Sequence, residues 1–183
     1  MLQTTEPPII RRRMSLEEYM ELPEKPKSEW VRGEALIMPP ARTGHQLIIS
    51  DLIVFLRAAL PDCYVIPDAG FRMPEIRRIP DIMVLTQFPG DEVWVDDPPL
   101  IAIEIISPAT RSQDMIHKSV EYLAAGVGQY WIVDRKYRRI TILKNNGSNW
   151  AKEIILDDKD PELDITIDNH GTIHLNINEI FGM

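Results

Sequence analysis

The chain has 183 residues, of which 44% are hydrophobic and 26% charged, with a formal net charge of −8 and a pI near 5.0. That length suits one globular domain with its own core. No apolar run reaches the roughly 20 residues of a membrane span, and the acidic balance counts against a protein that coats nucleic acid by charge alone.

The start, MLQTTEPPIIRRRMS, has no apolar stretch ahead of its arginines. It is not a secretory signal, and residues 1–14 are expected to be a flexible arm. Ser15-Leu16-Glu17-Glu18 is a capping-box pattern that should open a short helix ending by Pro23. EWVRGEALIM then predicts two short strands around Arg32-Gly33. Between Thr43 and Leu60, the residues Leu47, Ile48, Leu52, Phe55, Leu56 and Ala59 recur at helical spacing, and Pro61 stops the helix.

Three extended runs follow: Cys63 to Met73, bent at Pro67 or Gly70; Ile82 to Leu85; and Leu100 to Ile106. The last is apolar on both faces apart from Glu104, as in a central strand. Ser112 can cap a second helix that runs to Ala125, with Gly126 as its stop. QYWIVD and Arg138 to Lys144 predict a strand pair across Arg135-Lys136. Further strands are expected near Ala151 to Ile155, Asp164 to Ile167 and Thr172 to Leu175. The core order is α-β-β-β-α-β with a β-rich tail, an α/β fold with a mixed central sheet flanked by helices. The single domain covers residues 15–183, its core about 43–134 and its C-terminal extension about 135–183. No glycine-rich phosphate loop is present.

Chemistry gathers around two acids. Burying Glu104 in an apolar strand is costly unless it is paired. Pro80-Asp81 opens the preceding strand, so the two carboxylates can converge if the strands pair. Asp81 is equally suited to capping a turn, and Glu104 to a structural ion pair. Two rigidly held carboxylates with water in the remaining positions also suit Mg²⁺, which can activate water and neutralise a phosphodiester.

Pro-Asp followed by an acid-bearing strand in this frame resembles the PD-(D/E)XK nuclease superfamily. More narrowly, PDIMV and LIAIEIISPATRSQDMIHKSVEYLAAGVGQYWIVD resemble the Uma2 family of restriction endonuclease-like proteins, over roughly Ser15 to Lys144. The resemblance implies a Mg²⁺-dependent endonuclease, with Mn²⁺ as a substitute, acting on nucleic acid, with DNA the first expectation. Asp81 and Glu104 become the metal ligands. Ile106 stands where the wider superfamily has its lysine. Lys118, on the next helix, matches the narrower family and can reach back to the strand, on one stripe with Asp114 and Tyr122. Glu29 matches an assisting acid. His45 also matches a family position, while Gln129 replaces the family's Glu. The competing reading is a nuclease fold acting only as a binding or assembly module, motivated by the acidic charge and by Ile106.

Cys63 is expected to be a buried strand thiol. His170 and His174 lack a third zinc ligand. Arg11 to Arg13 and the patch Arg135, Lys136, Arg138 and Arg139 are charged surface that can meet phosphate or water. The tail with Trp94, Trp150 and Phe181 suggests a homodimer, and the expected location is cytoplasmic.

Overall fold

The computed structural model describes residues 7–106 and 111–182, with side chains throughout except at 111–115. Ile10–Arg13 form β1, which pairs with the strand Glu34–Ile37. The expected arm is corrected over this part: the backbone of Ile10–Arg13 joins a sheet edge, and the side chains stay exposed. Helix α1, Leu16–Met20, has the full capping box, with Ser15 and Glu18 bonding each other's backbone. β2 (Ser28–Val31) and β3 (Glu34–Ile37) form the expected hairpin. Its turn residues Arg32 and Gly33 have φ of 46° and 90°, the positive values that a tight two-residue hairpin turn demands.

Helix α2 is Thr43–Ala59. Ile48, Ile49, Leu52 and Leu56 are buried, whereas Leu47 is 65% exposed and lies off the core stripe. The run from Cys63 to Met73 does bend, and the bend changes sheets: β4 is Tyr64–Pro67 and β5 is Gly70–Met73. β6 (Ile76–Arg78) and the two-residue β8 (Trp94–Val95) were not anticipated. β7 is Ile82–Leu85 and β9 is Ile101–Ile106. Helix α3 is Arg111–Ala124, so Ser112 lies inside it rather than at its cap. β10 (Gln129–Asp134) turns through a 3₁₀ segment at Arg135–Tyr137 into β11 (Arg139–Asn145). β12 (Trp150–Leu156), β13 (Glu162–Ile167), β14 (Gly171–Asn176) and the short α4 (Ile177–Phe181) complete the chain.

Among the described residues two six-stranded sheets form, in the orders β1-β3-β2-β6-β5-β8 and β12-β11-β10-β9-β7-β4, beside the hairpin β13-β14. The second is mixed: β7 runs antiparallel to β9, and β9 parallel to β10. Its strands and covering helices occur in the order α2, β4, β7, β9, α3, β10, the expected core. Side-chain alternation along β9 splits its residues between two cores. Ile101, Ile103 and Ile105 join the cluster that holds Leu52 and Leu56 of α2. Ala102 and Ile106 join Phe71, Met73 and Ile76 of the other sheet, and Tyr122 of α3. Glu104 shares the second face, so it points into the seam between the sheets.

The three aromatic residues that motivated a dimer are each half-buried against neighbours within the chain. Trp94 packs near Tyr19 and Arg77, the Trp150 indole donates to Ser119, and Phe181 lies under Arg138. Among the described residues no helix is long and apolar enough to cross a membrane.

Candidate active site

The register of β7 on β9 decides where the two acids meet. Ile82 pairs with Ile103, so Asp81, one residue earlier, comes alongside Glu104, one residue later. Asp81 Oδ2 accepts from the Ile105 backbone N–H at 2.8 Å. Both acids are 6% exposed.

Lys118 comes from α3, as expected for a lysine displaced from the strand. Its Nζ lies 2.9 Å from Glu104 Oε1 and 3.1 Å from Glu29 Oε1. Tyr122, one turn further along α3, donates its hydroxyl to Glu104 Oε1 at 2.7 Å. Ile106 is apolar packing on the same face, so the strand position could not have hosted the cation without rebuilding that core.

Glu29 is fully buried on β2. Its Oε2 accepts from Arg78 at 2.7 Å, and its Oε1 from the Ile79 N–H at 3.0 Å. Arg78 in turn donates to Glu121 at 2.8 Å. Charges therefore alternate without a break through Glu104, Lys118, Glu29, Arg78 and Glu121. Such a buried chain is tolerable because each charge is paired and hydrogen-bonded.

The two acids that share Lys118 are not equivalent. Burial opposes ionisation of Glu29, but Lys118 and Arg78 outweigh it and hold the carboxyl at about 2. Burial also pushes Glu104 up, Lys118 offsets only part of this, and the Asp81 and Glu29 charges add to it, leaving Glu104 at about 7. Glu29 has a second cation in direct contact, Arg78, whereas the second cation near Glu104, Lys27, is the smallest of the influences on it. Glu104 is thus the acid with a deficit of positive charge.

On the far side of Asp81, Lys27 Nζ lies 2.9 Å from Asp81 Oδ1 and 2.9 Å from Asp68 Oδ1. Burial would lower the Lys27 pKa, but Asp81, Glu104 and Asp68 raise it instead. His45, at the start of α2, places Nε2 3.4 Å from Asp81 Oδ2. A cavity of about 1940 Å³ opens over these groups, and Arg42, Arg135 and Lys136 also line it.

The donor set fits a hard divalent cation. Among the described residues no three His, Cys, Asp or Glu side chains converge as a cage. The available ligands are two carboxylates, and the described contacts of Glu104 all fall on Oε1. Magnesium is commonly held by one or two carboxylates, with water and substrate oxygens completing its shell.

Sequence reasoning brought together Asp81, Glu104, Lys118, Glu29, Tyr122 and His45. The side chain of Asp114 lies outside the described residues. Gln129 has a structural role, bonding Thr166 and Trp131. Arg138 and Arg139 pair with Asp158 and Asp157, leaving only Arg135 and Lys136 of that patch on the cavity. Cys63 is half-buried near His170 Nδ1, at 3.5 Å, and His174 pairs with Asp164, so the two histidines do not converge. Lys27, Arg78, Glu121 and Asp68 were missed. Lys27 could have been found, because it lies two residues before Glu29 and so continues the same strand face.

Comparison with known proteins shows the family and the fold. Residues 16–173 match the model of the Uma2 family, described as "putative restriction endonuclease". No curated protein matches. Among solved structures the chain is similar to one titled a "putative nuclease belonging to DUF820" from Anabaena variabilis. That match has a TM-score of 0.77 and 19% identity, and covers 92% of this chain and 97% of the other. At that identity the likeness speaks for the fold. A family match over most of the chain, on a fold shared with that solved structure, leads to one conclusion: the chain belongs to the Uma2 family.

Proposed function

We propose that this protein is a Mg²⁺-dependent endonuclease that hydrolyses phosphodiester bonds in nucleic acid, with DNA as the substrate. The observation that carries this reading is the position of Lys118 Nζ, within 3.1 Å of both Glu29 and Glu104, the latter on the strand whose register brings it alongside Asp81. Asp81 and Glu104 would hold the cation. When bound, it supplies charge neutralisation at the scissile phosphate.

The chain's own groups do the rest. Lys118 is aimed by Glu29 and can donate a hydrogen bond to an attacking water or to the developing charge on phosphorus oxygens. Arg78 neutralises the outer oxygen of Glu29, so Glu29 can hold Lys118 without itself being left unpaired. Tyr122 fixes the Glu104 rotamer. Arg42, Arg135 and Lys136 give the cavity a basic rim, suited to a phosphate backbone despite the net charge of −8.

The reading as a non-catalytic module drew on that net charge and on Ile106. Lys118 removes the second motive by supplying a cation at Glu104 from the helix. The test is incubation of purified protein with plasmid and with single-stranded DNA, in Mg²⁺ or Mn²⁺. Cleavage is expected, and Asp81→Asn and Glu104→Gln should each abolish it. Undiminished cleavage by both variants would place the active site elsewhere.

A further inference from the structure

Lys27 has no part in the reaction outlined above, yet it holds a commanding position. Both oxygens of Asp81 are engaged: Oδ2 by the Ile105 N–H and by His45, and Oδ1 by the Lys27 ammonium. A divalent cation bound through Oδ1 needs a short oxygen contact, about 2.0–2.1 Å for Mg²⁺. It would bring two positive charges to the spot where Lys27 already provides one. The ammonium and the cation therefore compete for the same oxygen.

The structure also provides a second place for the ammonium. Asp68, in the turn between β4 and β5, accepts from the same Nζ at 2.9 Å. Its side chain is 53% exposed, and Lys27 lies between it and the far more buried Asp81. A lysine is a compact charge on a flexible four-carbon stem. It can release Asp81 while keeping Asp68. Asp68 has φ of 50°, a conformation that Asp tolerates better than most residues.

We infer that Lys27 is a tethered counter-cation that neutralises Asp81 until a divalent cation binds, and then passes to Asp68 alone. Metal loading is an exchange of cations rather than the filling of bare acids. The inference rests on the proposed metal role of Asp81 and Glu104. Lys27 is a positioning residue that acts through Asp81.

The experiment is calorimetric titration of Mn²⁺ into wild-type protein, Lys27→Met, Lys27→Arg and Asp81→Asn, each checked for folding by circular dichroism. Removing a competing charge should tighten binding, so Lys27→Met is expected to bind Mn²⁺ about tenfold more tightly, within the usual range of coupling between sites. Lys27→Arg keeps the charge and should stay near wild type. A lysine with a merely structural role would give the opposite sign, because its loss would loosen the site. Unchanged or weaker binding by folded Lys27→Met, with wild type binding normally, overturns the exchange alone. Mn²⁺ binding that is absent from every protein, or unaffected by Asp81→Asn, overturns the metal reading and the exchange together.

Discussion

Lys118 Nζ lies between two carboxylates that come from different sheets, 2.9 Å from Glu104 on β9 and 3.1 Å from Glu29 on β2. It therefore ties the sheets together and, in the proposed mechanism, serves the site. Lys118→Ala should lower cleavage by about 10²–10³-fold, the usual effect of losing one transition-state donor. It should also destabilise the fold by about 3–5 kcal/mol, because two acids in a buried network lose their shared cation. Single-turnover cleavage and chemical denaturation read the two effects separately. A variant with wild-type turnover would remove Lys118 from the mechanism.

Glu29 provides a pH signature. Its folded carboxyl sits at about 2, below its ordinary value of 4.5. A depressed carboxyl contributes stability that is fully present above the unfolded pKa and is lost as pH falls towards the folded one. The stability gap between wild type and Glu29→Gln should therefore narrow as pH falls between roughly 4.5 and 2, below the range near pH 7 in which Glu104 titrates. Urea denaturation across that range measures it. A gap that is flat to pH 2.5 would mean that Glu29 is not held ionised by Lys118 and Arg78.

His174 is an independent control on the outer hairpin. Its hydrogen bond to Asp164 comes first among the causes that raise its pKa above the ordinary 6.5, and nearby Glu162 adds to it. A raised histidine contributes stability below its unfolded pKa and loses it as pH rises through the folded one. Proton NMR should show His174 titrating above 6.5 in wild type and returning towards it in Asp164→Asn, with no effect on cleavage.

The basic rim should carry the salt dependence of DNA binding. Arg135 packs over Gly44 so closely that a Cβ at position 44 would overlap its guanidinium. Arg135→Ala and Lys136→Ala should each weaken DNA binding and reduce the slope of log affinity against log salt by about 0.9 per lost phosphate contact. Gly44→Ala should mimic Arg135→Ala in part, because the flexible side chain must move aside while the fold stays intact. Fluorescence anisotropy at several salt concentrations is the measurement. Identical slopes in all variants would place the DNA elsewhere.

Gly128 tests the packing beneath the site. A Cβ there would lie 2.7 Å from the Leu100 carbonyl oxygen, which is fixed by the Gln129 N–H. Backbone cannot yield as a side-chain end can, so Gly128→Ala should cost about 1–3 kcal/mol. A thermal melt close to wild type would show that the β9–β10 junction is more pliant than its hydrogen bonds imply.

Much of the fold was legible because local chemistry and the fold agree. The capping box of α1, the Arg32-Gly33 turn, the proline that ends α2 and the apolar run of β9 each dictate their element from neighbouring residues. Leu47 misled because an apolar residue one position off the stripe reads the same in sequence. β6 and β8 were missed because strands of two or three residues are set by their partners rather than by their own composition.

The sequence by itself determined the core order of the elements and the pair of acids on adjacent strands, which follow from spacing and polarity, while the lysine one helix later was implied by the resemblance to the Uma2 family. Only the tertiary structure decided which charges neutralise which. Arg78 and Glu29 are 49 residues apart in sequence and 2.7 Å apart in space, and Lys27 reaches Asp81 across a separation of 54 residues. Such contacts depend on how two sheets pack face to face. A charge reads as a solvated surface group until the sheet that buries it is in place.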